Sequence, residues 1–262
     1  MKRVSSRDNP VWKMLVRLCH SSRDRRKLGK CVLEGAHTIL AYLDRLGVPE
    51  LVVINEAAMD GFEMRVIVER AGERQVIVAD ARLFSELAQT ATPTGVLAVI
   101  AIPQPGSALP GAFNLLLEDV QDPGNVGTML RTAAAAGVTH AFLSGGCAFA
   151  WSPKVLRAGQ GAHFFLEIVE CADLPLVARG FSGKVVAAVP RADASLFDAD
   201  LRGPMMFMVG NEGAGLSAAL IACATARVAI PMPGGFESLN AASAAAVCLF
   251  EKLRQERIPQ VP

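Results

Sequence analysis

Three loops in the second half of the chain carry residue types that could act on a ligand. The first runs Asp119 to Asn125 and reads Asp-Val-Gln-Asp-Pro-Gly-Asn. The second, Gly210 to Gly215, reads Gly-Asn-Glu-Gly-Ala-Gly. The third, Pro231 to Ser238, reads Pro-Met-Pro-Gly-Gly-Phe-Glu-Ser. Glycine lets backbone approach a bound molecule closely, and free amides at a helix start favour polar or anionic atoms. Asn125, Glu212 and Ser238 supply side-chain donors and acceptors in these loops. Arg131 follows Asn125 by six residues, and Asn240 lies just past Ser238. A guanidinium at such a place can grip a phosphate through two parallel hydrogen bonds. Each residue also has a plainer reading: helix cap for Asn125 and Ser238, surface charge for Arg131, amide binder for Glu212. The pattern predicts a ligand site without naming the ligand. No G-x-G-x-x-G follows an early strand, and no Walker A, H-x-E or C-x-x-C pattern occurs, so NAD, ATP and a bound metal are not expected.

The elements needed to position these loops are readable from periodicity. Each loop follows an apolar run suited to a strand: Asn114–Val120, Met205–Val209 and Ala226–Ile230. Each precedes a helical stretch: Val126–Ala136, Leu216–Cys223 and Leu239–Gln255. Further strands are predicted at His140–Leu143, Phe164–Val169 and Lys184–Val189, with a helix beginning at Pro153. Near-continuous apolar strands suit a parallel sheet covered on both faces. Loops at the carboxyl ends of its strands share one edge, where ligands bind.

The first half alternates too. Pro10 opens a helix with Val11, Met14, Leu15 and Leu18 at helical spacing. Strands are expected at Cys31–Leu33, Leu51–Ile54, Gln75–Val78 and Gly95–Ile100. Helices are expected at His37–Leu46, Met64–Ala71 and Arg82–Ala88. The pattern argues α/β. Three prolines and two glycines between 101 and 112 suit a linker. The predicted organisation is a domain over 1–103, a linker over 104–112 and a domain over 113–262.

Charge is unevenly placed. The chain's net charge is +1, yet residues 1–30 hold ten Lys/Arg against two Asp/Glu. Residues 1–9 read as a basic arm, followed by the cluster Arg23, Arg25, Arg26, Lys27 and Lys30. Such a face fits a polyanion, or is simply a solvated surface. The six cysteines are expected to be reduced and buried, as in a cytoplasmic protein. No apolar run is long enough to span a bilayer and no secretory signal is expected.

Asn125-Val126-Gly127-Thr128-Met129-Leu130-Arg131-Thr132-Ala133 resembles the first motif of the SpoU/TrmH methyltransferases, N-x-G-x-x-x-R-T-A. Val209 to Ser217 resembles their second motif. Ile230-Pro231-Met232 with Glu237-Ser238-Leu239-Asn240 resembles their third. The order is right, and the match spans about 115–250. The resemblance implies a carboxyl-terminal SPOUT domain with a parallel sheet and a trefoil knot. It implies S-adenosylmethionine held by Gly210, Ile230, Leu239 and Met232, although on their own Ile230 and Leu239 read as core. It implies methyl transfer to a ribose 2′-hydroxyl, with Arg131 activating that hydroxyl and Asn125, Glu212, Ser238 and Asn240 forming the catalytic pocket. Two departures stand out. Ala242 replaces a residue of the family's usual final-helix run, and Gly159 stands where a serine is common.

Ser6-Arg7-Asp8-Asn9-Pro10 and Leu33-Glu34-Gly35 are similar to the smaller amino-terminal α/β RNA-binding domain fused to many ribosomal-RNA members. The resemblance therefore implies rRNA as substrate and a homodimer with the active site completed at the subunit interface. The alternatives are the same chemistry on tRNA, or an RNA-binding protein that has lost catalysis.

Overall fold

The computed structural model describes residues 1–88, 93–106, 111–235 and 237–257. The central part of the expected linker, 107–110, and Phe236 of the third loop lie outside the described residues. The chain divides into two units. The first comprises Met1–Gln104 together with Trp151–Phe164, and the second comprises Pro105–Ala150 with Phe165–Pro262.

The first unit begins with β1 (Lys2–Val4), α1 (Pro10–His20), α2 (Ser22–Leu28) and β2 (Lys30–Glu34). It continues through α3 (Ala36–Arg45), β3 (Leu51–Asn55), α4 (Phe62–Ala71), β4 (Val76–Ala79), α5 (Ala81–Ser85) and β5 (Val96–Ala101). The sheet order is β1-β4-β3-β5-β2. β1, β4 and β3 run parallel, while β5 is antiparallel to both β3 and β2. Trp12, Leu15, Leu18 and Phe84 fill the core on one side of it.

Local chemistry sets the start of this unit. The Asn9 side chain accepts from the Val11 amide, and Pro10 fixes the first helical residue of α1. The Ser21 side chain then accepts from the Asp24 amide and starts α2, which Gly29 ends in a left-handed conformation. Two features depart from the sequence expectation. Residues 1–9 are not a free arm, because Lys2–Val4 pairs in register with Ile77–Ala79 and buries Val4. The basic cluster is not uniformly solvated either. Arg25 is buried, and its Nη1 donates to the Leu18 and Cys19 carbonyls at the end of α1.

The second unit carries β6 (Phe113–Leu117), α6 (Pro123–Ala136) and β7 (His140–Leu143). The chain then passes through α7 (Pro153–Gly159), which packs on β2 as part of the first unit. It returns through β8 (Glu167–Val169), α8 (Leu174–Gly180), β9 (Lys184–Ala188), β10 (Ala194–Ser195) and β11 (Met205–Val209). α9 (Ala218–Ile221), β12 (Ala226–Ala229) and α10 (Ala241–Arg257) complete it. The sheet order is β10-β12-β9-β11-β6-β7-β8, and every pairing is parallel. The strands β6 and β11 are buried at every position, as a sheet covered on both faces requires. α6 packs against α10.

None of the six cysteines is in a disulfide. Cys19, Cys31 and Cys248 are buried as expected, whereas Cys171 is exposed. No helix among the described residues is long and apolar enough to cross a membrane.

Candidate active site

The carboxyl ends of three neighbouring strands, β12, β9 and β11, open into one cleft. Its walls are Val189 and Pro190 after β9, Gly210 to Gly213 after β11, Ile230 and Met232 after β12, and Ser238, Leu239 and Ala244 at the start of α10. The cleft encloses about 790 Å³ with its open mouth included, a size suited to a small-molecule ligand. Gly210, Ile230, Met232 and Leu239 all lie on it, as do Glu212 and Ser238. Leu239 is 43% exposed, so it is not a core residue; its apolar side chain lines the cleft.

Backbone geometry explains why glycine stands at 210. A Cβ there would lie 2.3 Å from the Gly215 carbonyl carbon and 2.4 Å from the Leu216 nitrogen. The loop folds back on itself, with Asn211 and Gly215 exchanging both backbone hydrogen bonds, at 3.1 and 2.9 Å. The Asn211 side chain locks the turn by accepting from the Gly213 and Ala214 amides, each at 2.9 Å. Its Nδ2 donates to the Asp119 carbonyl at 2.8 Å, joining this loop to the one after β6. Asp119 holds a left-handed backbone, φ 54°. Its amide donates to Ser144 Oγ at 2.8 Å, and that hydroxyl donates back to Asp119 Oδ1 at 2.6 Å.

A second set of bonds joins all three loops through side chains. Asn240 Nδ2 donates to Asn125 Oδ1 at 3.0 Å, and Asn125 Nδ2 donates to Glu212 Oε1 at 2.9 Å. The cap of α6 is Asp122, which accepts from the Asn125 amide at 2.7 Å, so the Asn125 side chain is left for this chain of bonds. The cap of α10 is Asn240, which accepts from the Ala242 and Ser243 amides. Ser238 is therefore not the cap, and the helix begins two residues later than its periodicity predicts.

Glu212 is influenced most by partial burial, which pushes its carboxyl up. Hydrogen bonds from Asn125 and from the amides of Asp122 and Gln121 outweigh that, so its titration lies below the ordinary carboxylate value. The group is an anion at neutral pH. Arg131 stands apart. It is exposed on α6, its side chain has no hydrogen-bond or ion-pair partner among the described residues, and it does not line the cleft.

The structure thus brings together eight of the nine residues singled out from the sequence: six on the cleft, Asn125 bonded to Glu212 of that six, and Asn240 bonded to Asn125. Several contributors escaped the sequence reading, among them Val189, Pro190 and Asn211. Pro190 lies just past β9, where the loop rule would have found it; Val189 was read as the last residue of that strand, whereas β9 ends at Ala188 and leaves Val189 to the cleft. Asn211 sits inside a quoted motif, but its bond to residue 119 is invisible in one dimension.

The SpoU rRNA Methylase family matches residues 112–250, and the MRM3-like substrate binding domain matches residues 9–98. An uncharacterized tRNA/rRNA methyltransferase of Synechocystis sp. is 32% identical, covering 99% of this chain and 96% of its own. The 23S rRNA (guanosine(2553)-2′-O)-methyltransferase RlmP of Bacillus subtilis is 33% identical, covering 95% and 98%. Among solved structures, the SpoU methyltransferase AviRb of Streptomyces viridochromogenes in complex with AdoMet superposes with a TM-score of 0.82 at 25% identity, covering 95% of this chain and 99% of that one. By motif, by fold and by similarity over nearly its whole length, the chain belongs to the SpoU rRNA methylase family, S-adenosylmethionine-dependent enzymes that methylate ribose 2′-hydroxyls of RNA.

Proposed function

We propose that this enzyme methylates a ribose of ribosomal RNA, as a cytoplasmic homodimer, with the methyl donor in the cleft between β12, β9 and β11. The supporting observation is the bond chain Asn240–Asn125–Glu212, which holds three distant loops at one mouth. The cleft fits the donor on its own chemistry. Ile230, Leu239 and Ala244 give apolar walls suited to an aromatic base, and Gly210 leaves room for close backbone approach. Bound there, the donor supplies a methyl group already activated on a positive sulfur. Glu212, held anionic at the same cleft, favours a positive charge nearby.

The chain's own residues have two tasks, positioning and hydroxyl activation. Ser238 offers a hydroxyl on the cleft wall to orient the target sugar. Asn125 and Asn240 hold the loops in register. A guanidinium is a poor general base and a good anion fork, so the part of Arg131 is to grip the phosphate beside the target ribose and favour loss of the hydroxyl proton. Its exposure and its place outside the cleft lining are consistent with a second copy completing the site. rRNA is favoured over tRNA by the full-length similarity to RlmP and by the MRM3-like match over residues 9–98.

The test is transfer of a tritiated methyl group to rRNA and tRNA fractions, followed by mapping of the alkali-resistant dinucleotide. The wild type should label rRNA. Arg131→Ala should lower transfer at least about a hundredfold while donor affinity and thermal stability hold. Label in tRNA alone would overturn the substrate. Full activity of Arg131→Ala would remove that residue from the mechanism.

A further inference from the structure

The first unit holds a groove that the chemistry above does not use. It runs along α1 and is formed within that unit alone. Lys13 and Arg17 stand on it, one helical turn apart, with Arg7 and Glu86 on its other wall. The side chain of Arg17 has no hydrogen-bond or ion-pair partner among the described residues. Lys13 pairs with Asp8, at 2.9 Å, but the Asp8 side chain is 91% exposed. Pairs of that kind contribute little and exchange readily for another anion. Glu86, the groove's carboxylate, is already engaged by Arg7.

Trp12 also lines the groove, with Pro10 and Val16 beside it. Trp12 is 1% exposed, and its indole N–H meets no acceptor. Buried donors are nearly always satisfied. Beyond the groove, α2 presents Arg23 and Lys27 at the same one-turn spacing, both exposed and without a side-chain partner among the described residues. Much of the remaining amino-terminal charge is engaged internally: Arg3 with Glu56, Lys30 with Glu50, and Arg25 with carbonyls. The positive excess is therefore concentrated on α1 and α2.

Building on the reading of this chain as an RNA enzyme, we propose that this groove takes a single-stranded segment of the RNA substrate. Phosphates lie on Lys13 and Arg17, and a base or sugar packs on the apolar wall of Pro10 and Val16, which Trp12 backs from beneath. Cations supply affinity, and an apolar wall beside them suits an unpaired nucleotide better than a duplex backbone.

The experiment uses the full-length enzyme and a large-subunit rRNA transcript. Lys13→Ala combined with Arg17→Ala should raise the RNA KM about tenfold and flatten the salt dependence of binding by about 1 to 2 in log–log slope. The kcat and donor affinity should hold. A charge-matched control, Arg65→Ala with Arg74→Ala on other exposed positions of the unit, should leave the RNA KM unchanged. A transcript carrying 4-thiouridine should photo-crosslink to the peptide containing Pro10–Arg17. An unchanged KM and slope, an equal effect in the control, or crosslinks confined to other peptides would overturn the proposal. If the wild type transfers no methyl group, the functional reading fails, yet crosslinking and salt slope still decide the groove.

Discussion

The cleft of the second unit and the groove of the first handle polar groups in opposite ways. At the cleft, Asn240, Asn125 and Glu212 are bonded to one another, and Asn211 is bonded to three backbone groups. Their geometry is set before any ligand arrives, which is what positioning a reaction demands. At the groove, Arg17 has no side-chain partner among the described residues and Lys13 holds only an exposed one. Long cations left to water adapt to many phosphate positions and lose strength in salt. The contrast separates a part built for one arrangement of atoms from a part built for a flexible polyanion.

Three changes would break or sharpen that contrast. The largest effect is expected at Gly210, where a Cβ meets backbone that cannot swing away. Gly210→Ala should weaken donor binding by about a hundredfold, the equivalent of overpacking by a few kcal/mol; calorimetric titration with the donor measures it. A smaller loss is expected at Glu212. Glu212→Gln removes the charge and sets an amide against the amides of Gln121 and Asp122, lowering transfer about tenfold. The same variant tests a sign. The carboxyl of Glu212 titrates below its ordinary value of 4.5 in the folded protein. The stability it adds is thus present above the unfolded value and is lost as pH falls through the lower folded one. The difference in urea midpoint between wild type and Glu212→Gln should stay constant at neutral pH and shrink on acidification below about 4.5. A difference that grows on acidification would reverse the assignment. The smallest effect is expected on α2. Arg23→Ala should weaken RNA binding about threefold at moderate salt and lower the salt slope by about 1, measured by filter binding, with no change at the cleft.

Much of this was readable in one dimension, and the exceptions have causes. The strands His140–Leu143 and Met205–Val209 fall where their apolar runs predict. α2 was unreadable because Ser-Arg-Asp-Arg-Arg-Lys-Leu has no apolar period, and its one buried residue is an arginine. β1 was unreadable because three residues carry no pattern, and only pairing with β4 makes them a strand. The strand order was equally hidden, since β11 lies between β6 and β9 through pairings remote in sequence. At the site, residue types and spacing marked the loops, whereas the Asn125–Glu212 bond spans 87 residues and appears only in three dimensions. Arg131 shows the reverse: its motif is plain, and its position alone would not have drawn attention.

The left-handed turn at Asp119 has a consequence for how this sequence can change. The carboxylate of Asp119 occupies the space beside Gly146, where an added Cβ would come within 2.2 Å of Oδ1. The two sites therefore form one linked choice. With the acidic side chain at 119, a side chain at 146 requires that carboxylate to swing away and give up its bond with Ser144, and a glycine at 119 would lift that conflict while suiting the backbone equally well. Drift along this segment has a favoured order: growth at the second position costs least once the first has shortened.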